Sequence, residues 1–234
     1  MNNLIDNILA RIGLNRRVVS HRERLITSLG GFFGILGVYF VSASLLDAQG
    51  ASLIVASMGA SAVLLYAVPH SALAQPWNVM AGHLVSAVIG VSCARFIPDT
   101  LLAAALSVGC AILAMHYLRC IHPPGGATAL SAVIGGPAVH ALDYAYVLQP
   151  VLINCIIILT IAIVFNALFD YYRYPTSLAK STRQTSRHDA HYPPIEHADL
   201  VYALSQIDTI VPVSEQDLLS IYELATGRRN ESDD

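Results

Sequence analysis

Charge is almost missing from the middle of this sequence. Between Leu25 and Phe169 the only Lys, Arg, Asp or Glu residues are Asp47, Arg95, Asp99, Arg119 and Asp143, and charged residues make up 12% of the chain. Soluble proteins carry about 25%, so a soluble globule does not fit. Any basic domain or stripe of the kind a nucleic-acid binder needs is absent too. Cys93, Cys110, Cys120 and Cys155 form no Cys-x-x-Cys pair. That spacing argues against a disulfide framework or a thiolate zinc site, and the four read as small buried hydrophobes. There is no phosphate loop, Ser-His-Asp arrangement or His-x-x-x-His pair, so no enzyme activity, cofactor or ATP coupling is expected.

What remains is apolar. Hydrophobic residues make up 55% of the chain, and six stretches stand out: 25–46, 51–68, 79–97, 101–118, 124–139 and 147–169. A spanning helix needs about 20 such residues. The expected fold class is therefore an all-α membrane protein of about six transmembrane segments, with the second and fifth short and interrupted by glycine.

The missing charges sit at the two ends: residues 1–24 carry five Arg against two acids, and residues 170–234 carry six bases against eleven acids. The chain divides into a basic N-terminus (1–24), a transmembrane domain (25–169), a linker (170–194) and a small, acidic helical tail (195–234). Arg11, Arg16, Arg17, Arg22 and Arg24 precede the first span and Arg173, Lys180, Arg183 and Arg187 follow the last. The positive-inside rule then puts both termini in the cytoplasm, in a multi-pass inner-membrane protein. The number of crossings must be even. Six fits, and so does four with both short segments re-entrant; Arg119 and Cys120 are cytoplasmic in the first case and external in the second. Residues 4–14 read either as an interfacial helix or as a frayed terminus, and the tail pattern over 195–209 and 214–226 fits a hairpin docked on a partner or sister chain.

Small residues recur on the spans: Gly30, Gly34 and Gly37 on the first, Gly82, Ser86 and Gly90 on the third. Such stripes let helices approach closely in lipid, either within one protomer or between copies in a homo-oligomer. Gly59-Ala60-Ser61-Ala62 also matches Gly126-Ala127-Thr128-Ala129, and a Gln-Pro pair follows each, Gln75-Pro76 and Gln149-Pro150. Two inverted three-segment repeats would account for the match.

His122-Pro123-Pro124 resists helix at its start, so a half-helix is expected to begin inside the protein there, and a second near Gly59. The first amides of such helices lack internal partners and carry the positive end of the dipole. With Ser61 and Thr128 adding hydroxyl donors, they suit an anion; kinked helices packed through glycine are the plainer reading.

The run His122-Pro123-Pro124-Gly125-Gly126-Ala127-Thr128-Ala129-Leu130 resembles the signature of the HPP family of integral membrane proteins. Gly59-Ala60-Ser61-Ala62-Val63-Leu64-Leu65, Leu73-Ala74-Gln75-Pro76, Asn78 and Gly82-His83 resemble its other shared block. The likeness covers roughly residues 20 to 170. It implies a helical domain, usually described with four spans, and a transport role, with nitrite the substrate attributed to plastid and cyanobacterial members. Family members often carry Pro where Ala72 stands and Arg where Trp77 stands, which weakens the nitrite assignment.

In the six-span arrangement His70, His116 and His122 fall at the cytoplasmic ends of spans and His83 in the cytoplasmic half of the third. Ionisable residues in a membrane mark function, and histidine can switch charge near neutral pH. The expected function is transport of a small inorganic anion, nitrite by resemblance, with the lipid bilayer as the other partner. Its site is expected at opposed half-helix starts formed by Gly59, Ala60 and Ser61 and by Gly125, Gly126, Ala127 and Thr128, with His122, His83 and Arg119 lining the cytoplasmic approach. Two rival readings stay open: a membrane metalloenzyme using the histidines, and a non-transporting subunit that presents the tail.

Overall fold

The computed structural model describes residues 20–169 and 174–176. The segments expected over 4–14, 195–209 and 214–226 lie outside the described residues. Among the described residues the secondary structure is entirely helical, in the order α1 (His21–Leu45), α2 (Ala48–Ala67), α3 (Pro76–Phe96), α4 (Thr100–Tyr117), α5 (Pro123–Ile134), α6 (Pro137–Leu142) and α7 (Ile153–Ala167). A 3-10 turn at Ala72–Ala74 precedes α3, and a π turn at Val147–Leu152 runs into α7. Counting that turn with α7, five helices among the described residues are long and apolar enough to cross a membrane. A wall of outward-facing Phe32, Phe33, Phe40, Leu101, Leu113 and Val164 suits lipid contact.

Two of the five charges inside the span act on backbone ends. Asp47 accepts the amide of Gly50 at 2.9 Å at the start of α2, and Asp99 accepts that of Leu102 at 2.7 Å at the start of α4. Each satisfies a donor that a helix start leaves open. Arg95 pairs with Asp143 ahead of the last span. All four lie at one end of the bundle, where α1, α3 and the α6 region meet the next helices. At the other end Ser20 caps α1 through the Glu23 amide. The Val68–Gln75 and Leu118–His122 links sit at that same end, where Asn78 donates to the Ile121 carbonyl at 3.0 Å and Tyr174 to that of Ala74 at 2.7 Å.

The expectation of two short, interrupted segments holds for one of them. α2 runs unbroken over 20 residues, so no half-helix begins near Gly59. The stretch contains no proline, every amide can be bonded internally, and an unmade backbone bond is costly in lipid; the helix therefore continues through the glycine. α5 does begin at Pro123, with His122 as its N-cap, and stops after 12 residues. Gly136 then takes φ +81, a conformation that favours glycine, and Pro137 starts a new helix. Twelve residues rise about 18 Å against a hydrocarbon core of about 30 Å. Since α4 ends at the Ser20 end and Asp143 lies with Arg95 at the other, the broken α5–α6 pair carries the chain between them.

The small-residue stripes pack inside the protomer. A Cβ on Gly34 would lie 2.8 Å from the Tyr66 hydroxyl, and one on Gly37 2.6 Å from Ile161. On α3, a Cβ at Gly82 would meet His122 at 2.6 Å and one at Gly90 would meet Ala132 at 2.8 Å. These contacts seat α5 deep against α3, and that seat positions the residues described next.

Candidate functional site

A continuous hydrogen-bonded chain lies where α2, α3 and α5 meet. His122 Nδ1 is 2.8 Å from the carbonyl of Leu73, and its Nε2 is 2.9 Å from the hydroxyl of Ser61. Ser61 is 2.8 Å from His83 Nε2, and His83 Nδ1 is 2.7 Å from the Thr128 hydroxyl. Thr128 is 2.7 Å from Ser57, whose hydroxyl is 2.8 Å from the Pro124 carbonyl. Ser57, Ser61, His83, His122 and Thr128 are all buried, at 0 or 1% exposure.

Each member arrives from a different local cause. Ser57 and Ser61 are one turn apart on α2 and so share a face. His83 stands seven residues into α3, about 10 Å from its start. His122 is held in extended backbone (φ −142, ψ 100) by the prolines that follow it, since a residue before proline avoids helix. The two imidazoles pack edge to face with centroids 4.8 Å apart.

No carboxylate belongs to this cluster. The described acids, Glu23, Asp47, Asp99 and Asp143, lie near helix ends. Among the described residues, no three His, Cys, Asp or Glu side chains converge as a metal would need.

The sequence-predicted site residues separate into two groups. Ser61, His83, His122 and Thr128 join the chain, and Gly125 is buried beside it, where a Cβ would lie 2.8 Å from the Gly82 carbonyl and from Ser86 Oγ. Gly59 faces open space, Gly126 meets only Val108 at 3.8 Å, and Ala60 and Ala127 are exposed. Arg119 is exposed in the α4–α5 link with φ 52, outside the cluster. The start of α5 also offers fewer amides than expected: Pro123 and Pro124 have none, and Gly125 N–H donates to the His122 carbonyl at 2.8 Å. The same prolines that start the helix remove its donors, so polarity here comes from side chains.

Sequence reasoning missed Ser57 and the Leu73 carbonyl. The first carried a usable signal, its one-turn spacing from Ser61. The second carried none, being backbone.

At the opposite end a cavity of about 400 Å³ is lined by Arg95, His140 and Asp143, with Val91 and Ala132 among its apolar walls. The close packing of Gly90 on Ala129 and Ala132 joins α3 to α5 between this cavity and the cluster.

The family described as HPP, transmembrane region, matches residues 16–175. Two relatives from Dictyostelium discoideum, both described as transmembrane proteins, are 35% identical over 151 residues and 36% identical over 154. The matches cover 63% and 64% of this chain but 48% and 53% of those proteins, so the chain spans about half the length of these relatives. No solved structure matches.

Proposed function

The chain belongs to the HPP transmembrane family, and from that premise we propose that it carries a small inorganic anion across the membrane, with nitrite the first candidate. One observation carries this reading: the buried chain of His83, His122, Ser57, Ser61 and Thr128, with no carboxylate among them. Buried ionisable groups at membrane depth are expensive and mark substrate or ion paths. A set of hydroxyls and imidazoles, free of fixed negative charge and able to become cationic by taking a proton, favours an anion over a cation. Nitrite itself rests on the family resemblance, and the inner membrane on the sequence reading.

The end that bears Ser20 is read as cytoplasmic, because Arg22, Arg24 and Arg119 gather there while Arg95 at the far end is paired with Asp143. Transport would proceed between the cavity at Arg95 and the cluster through the seam at Gly90. That seam is tightly packed, which favours a carrier that moves α5 against α3 over an open channel.

The test is flux of nitrite, nitrate, formate and chloride in proteoliposomes of the full chain, with protein-free liposomes subtracted. Nitrite movement above background, reduced by Thr128→Val, is expected. Failure of every anion to move would overturn the reading.

A further inference from the structure

The hydrogen-bonded chain has one more link than its neutral members have protons. Its two ends, the carbonyls of Leu73 and Pro124, can only accept. Between them stand His122, Ser61, His83, Thr128 and Ser57, each of which brings one donor hydrogen when neutral. Five hydrogens cannot fill six links, yet all six separations lie between 2.7 and 2.9 Å. Two lone pairs facing each other at such a distance would repel. The one alternative acceptor for Ser61, the Ser57 carbonyl, is more distant at 3.5 Å.

We propose that this chain is a binding site for one excess proton, shared between His83 and His122 through Ser61, and that the proton is taken up together with the anion. The second clause rests on the anion reading above. With a sixth hydrogen the outer links are determined: His122 Nδ1–H donates to Leu73, Ser57 to Pro124, Thr128 to Ser57, and His83 Nδ1–H to Thr128. Only the links around Ser61 keep a choice. If Ser61 donates to His122, His83 is the imidazolium; if it donates to His83, His122 is. Passing the charge moves one proton from a ring nitrogen to Ser61 Oγ as the Ser61 hydrogen moves to the other ring, so no bond is left over. On release of the proton, His83 keeps Nε2–H, Thr128 turns to donate to His83 Nδ1, Ser57 turns to Thr128, and the Ser57–Pro124 link falls idle. A second excess proton would put two imidazolium rings 4.8 Å apart with two hydrogens facing in one link.

Among the described residues no carboxylate reaches the site: Asp47, Asp99 and Asp143 lie at the far end of the bundle and Glu23 at the start of α1. The titratable groups on the elements packed against the site are Tyr66 on α2, His70 in the link that carries Leu73, Cys93 and Arg95 farther along α3, Cys110, His116 and Tyr117 on α4, Arg119 and Cys120 in the link that follows, His140 on α6, Tyr146 just before the π turn and Cys155 on α7; Tyr174 bonds to Ala74 beside the Leu73 turn. None is a carboxylate, and Arg119 is exposed. A proton in the chain therefore has no fixed counter-charge, and a monovalent anion supplies it.

The test is imidazole nitrogen NMR on the full-length protein in nanodiscs, titrated from about pH 8 to about pH 4.5, with sodium nitrite as the added anion. His83→Gln and His122→Gln assign the signals. The expected result is one proton per chain, with both rings shifting together at a common midpoint and neither reaching full imidazolium. Ser61→Ala is expected to localise the proton on one ring. Rings that titrate independently, that both become cationic, or that both stay neutral throughout would overturn the proton site.

Nitrite should raise the common midpoint, and proteoliposome nitrite uptake in the high-pH limb should rise by up to about tenfold per pH unit as pH falls, as a one-proton linkage requires. Shared titration without any nitrite effect or flux would leave the proton site standing and sink its coupling to the anion together with the transport reading. Nitrite flux indifferent to pH, with no shared titration, would sink the proton site alone.

Discussion

α2 and α5 carry nearly the same four residues and build them into different structures. In α2 Gly59-Ala60-Ser61-Ala62 lies inside an unbroken helix; in α5 Gly126-Ala127-Thr128-Ala129 lies in the first turns of a short one. The hydroxyls nonetheless meet at one imidazole, Ser61 at Nε2 and Thr128 at Nδ1 of His83. What the two segments share is the direction in which a hydroxyl is presented, while helix length is set by prolines outside the motif. The glycines follow the prolines: the tight one is Gly125, outside the matched four, whereas Gly59 and Gly126 have room.

The largest effect that would sharpen this contrast is at Gly125. Gly125→Val places atoms against the Gly82 carbonyl, on a backbone that cannot give way easily, and against the Ser86 hydroxyl, and is expected to cost about 3 kcal/mol or more, read as loss of folded protein after detergent extraction. Next in size is Thr128→Val, which strips His83 Nδ1 of its partner and should cost about 1 to 3 kcal/mol of stability, measured by thermal unfolding in detergent. Asp47→Ala removes the α2 cap and is expected to cost about 0.5 to 2 kcal/mol in the same assay, with anion flux retained. Smallest is Gly59→Ala, where nothing lies within 4 Å of the new Cβ; a stabilisation of about 0.5 to 1 kcal/mol is expected. A Gly59→Ala change as damaging as Gly125→Val would break the contrast.

How much of this was legible depends on the physics behind each feature. The long spans were readable because burial in lipid demands a run of apolar residues, and the α5 start because His122-Pro123-Pro124 cannot continue a helix. The α2 break was misread because glycine permits a bend without requiring one, and in lipid the backbone keeps its bonds. Arg119 was expected on the cytoplasmic approach from the six-span topology, and its side chain is exposed in the α4–α5 link, outside the buried cluster. The meeting of Ser61 with Thr128 on a single ring depends on how α5 seats between α2 and α3, which no local pattern encodes.

The most direct measurement is nitrite flux through proteoliposomes of the parent, Thr128→Val and Ala127→Val, three chains that differ at adjacent positions of one helix. Thr128 is buried against His83 and Ala127 faces outward. The expected result is parental flux from Ala127→Val and a loss of roughly tenfold or more from Thr128→Val, as removal of a hydrogen bond to a charged group entails. Equal flux from all three chains would contradict the cluster as the anion's site.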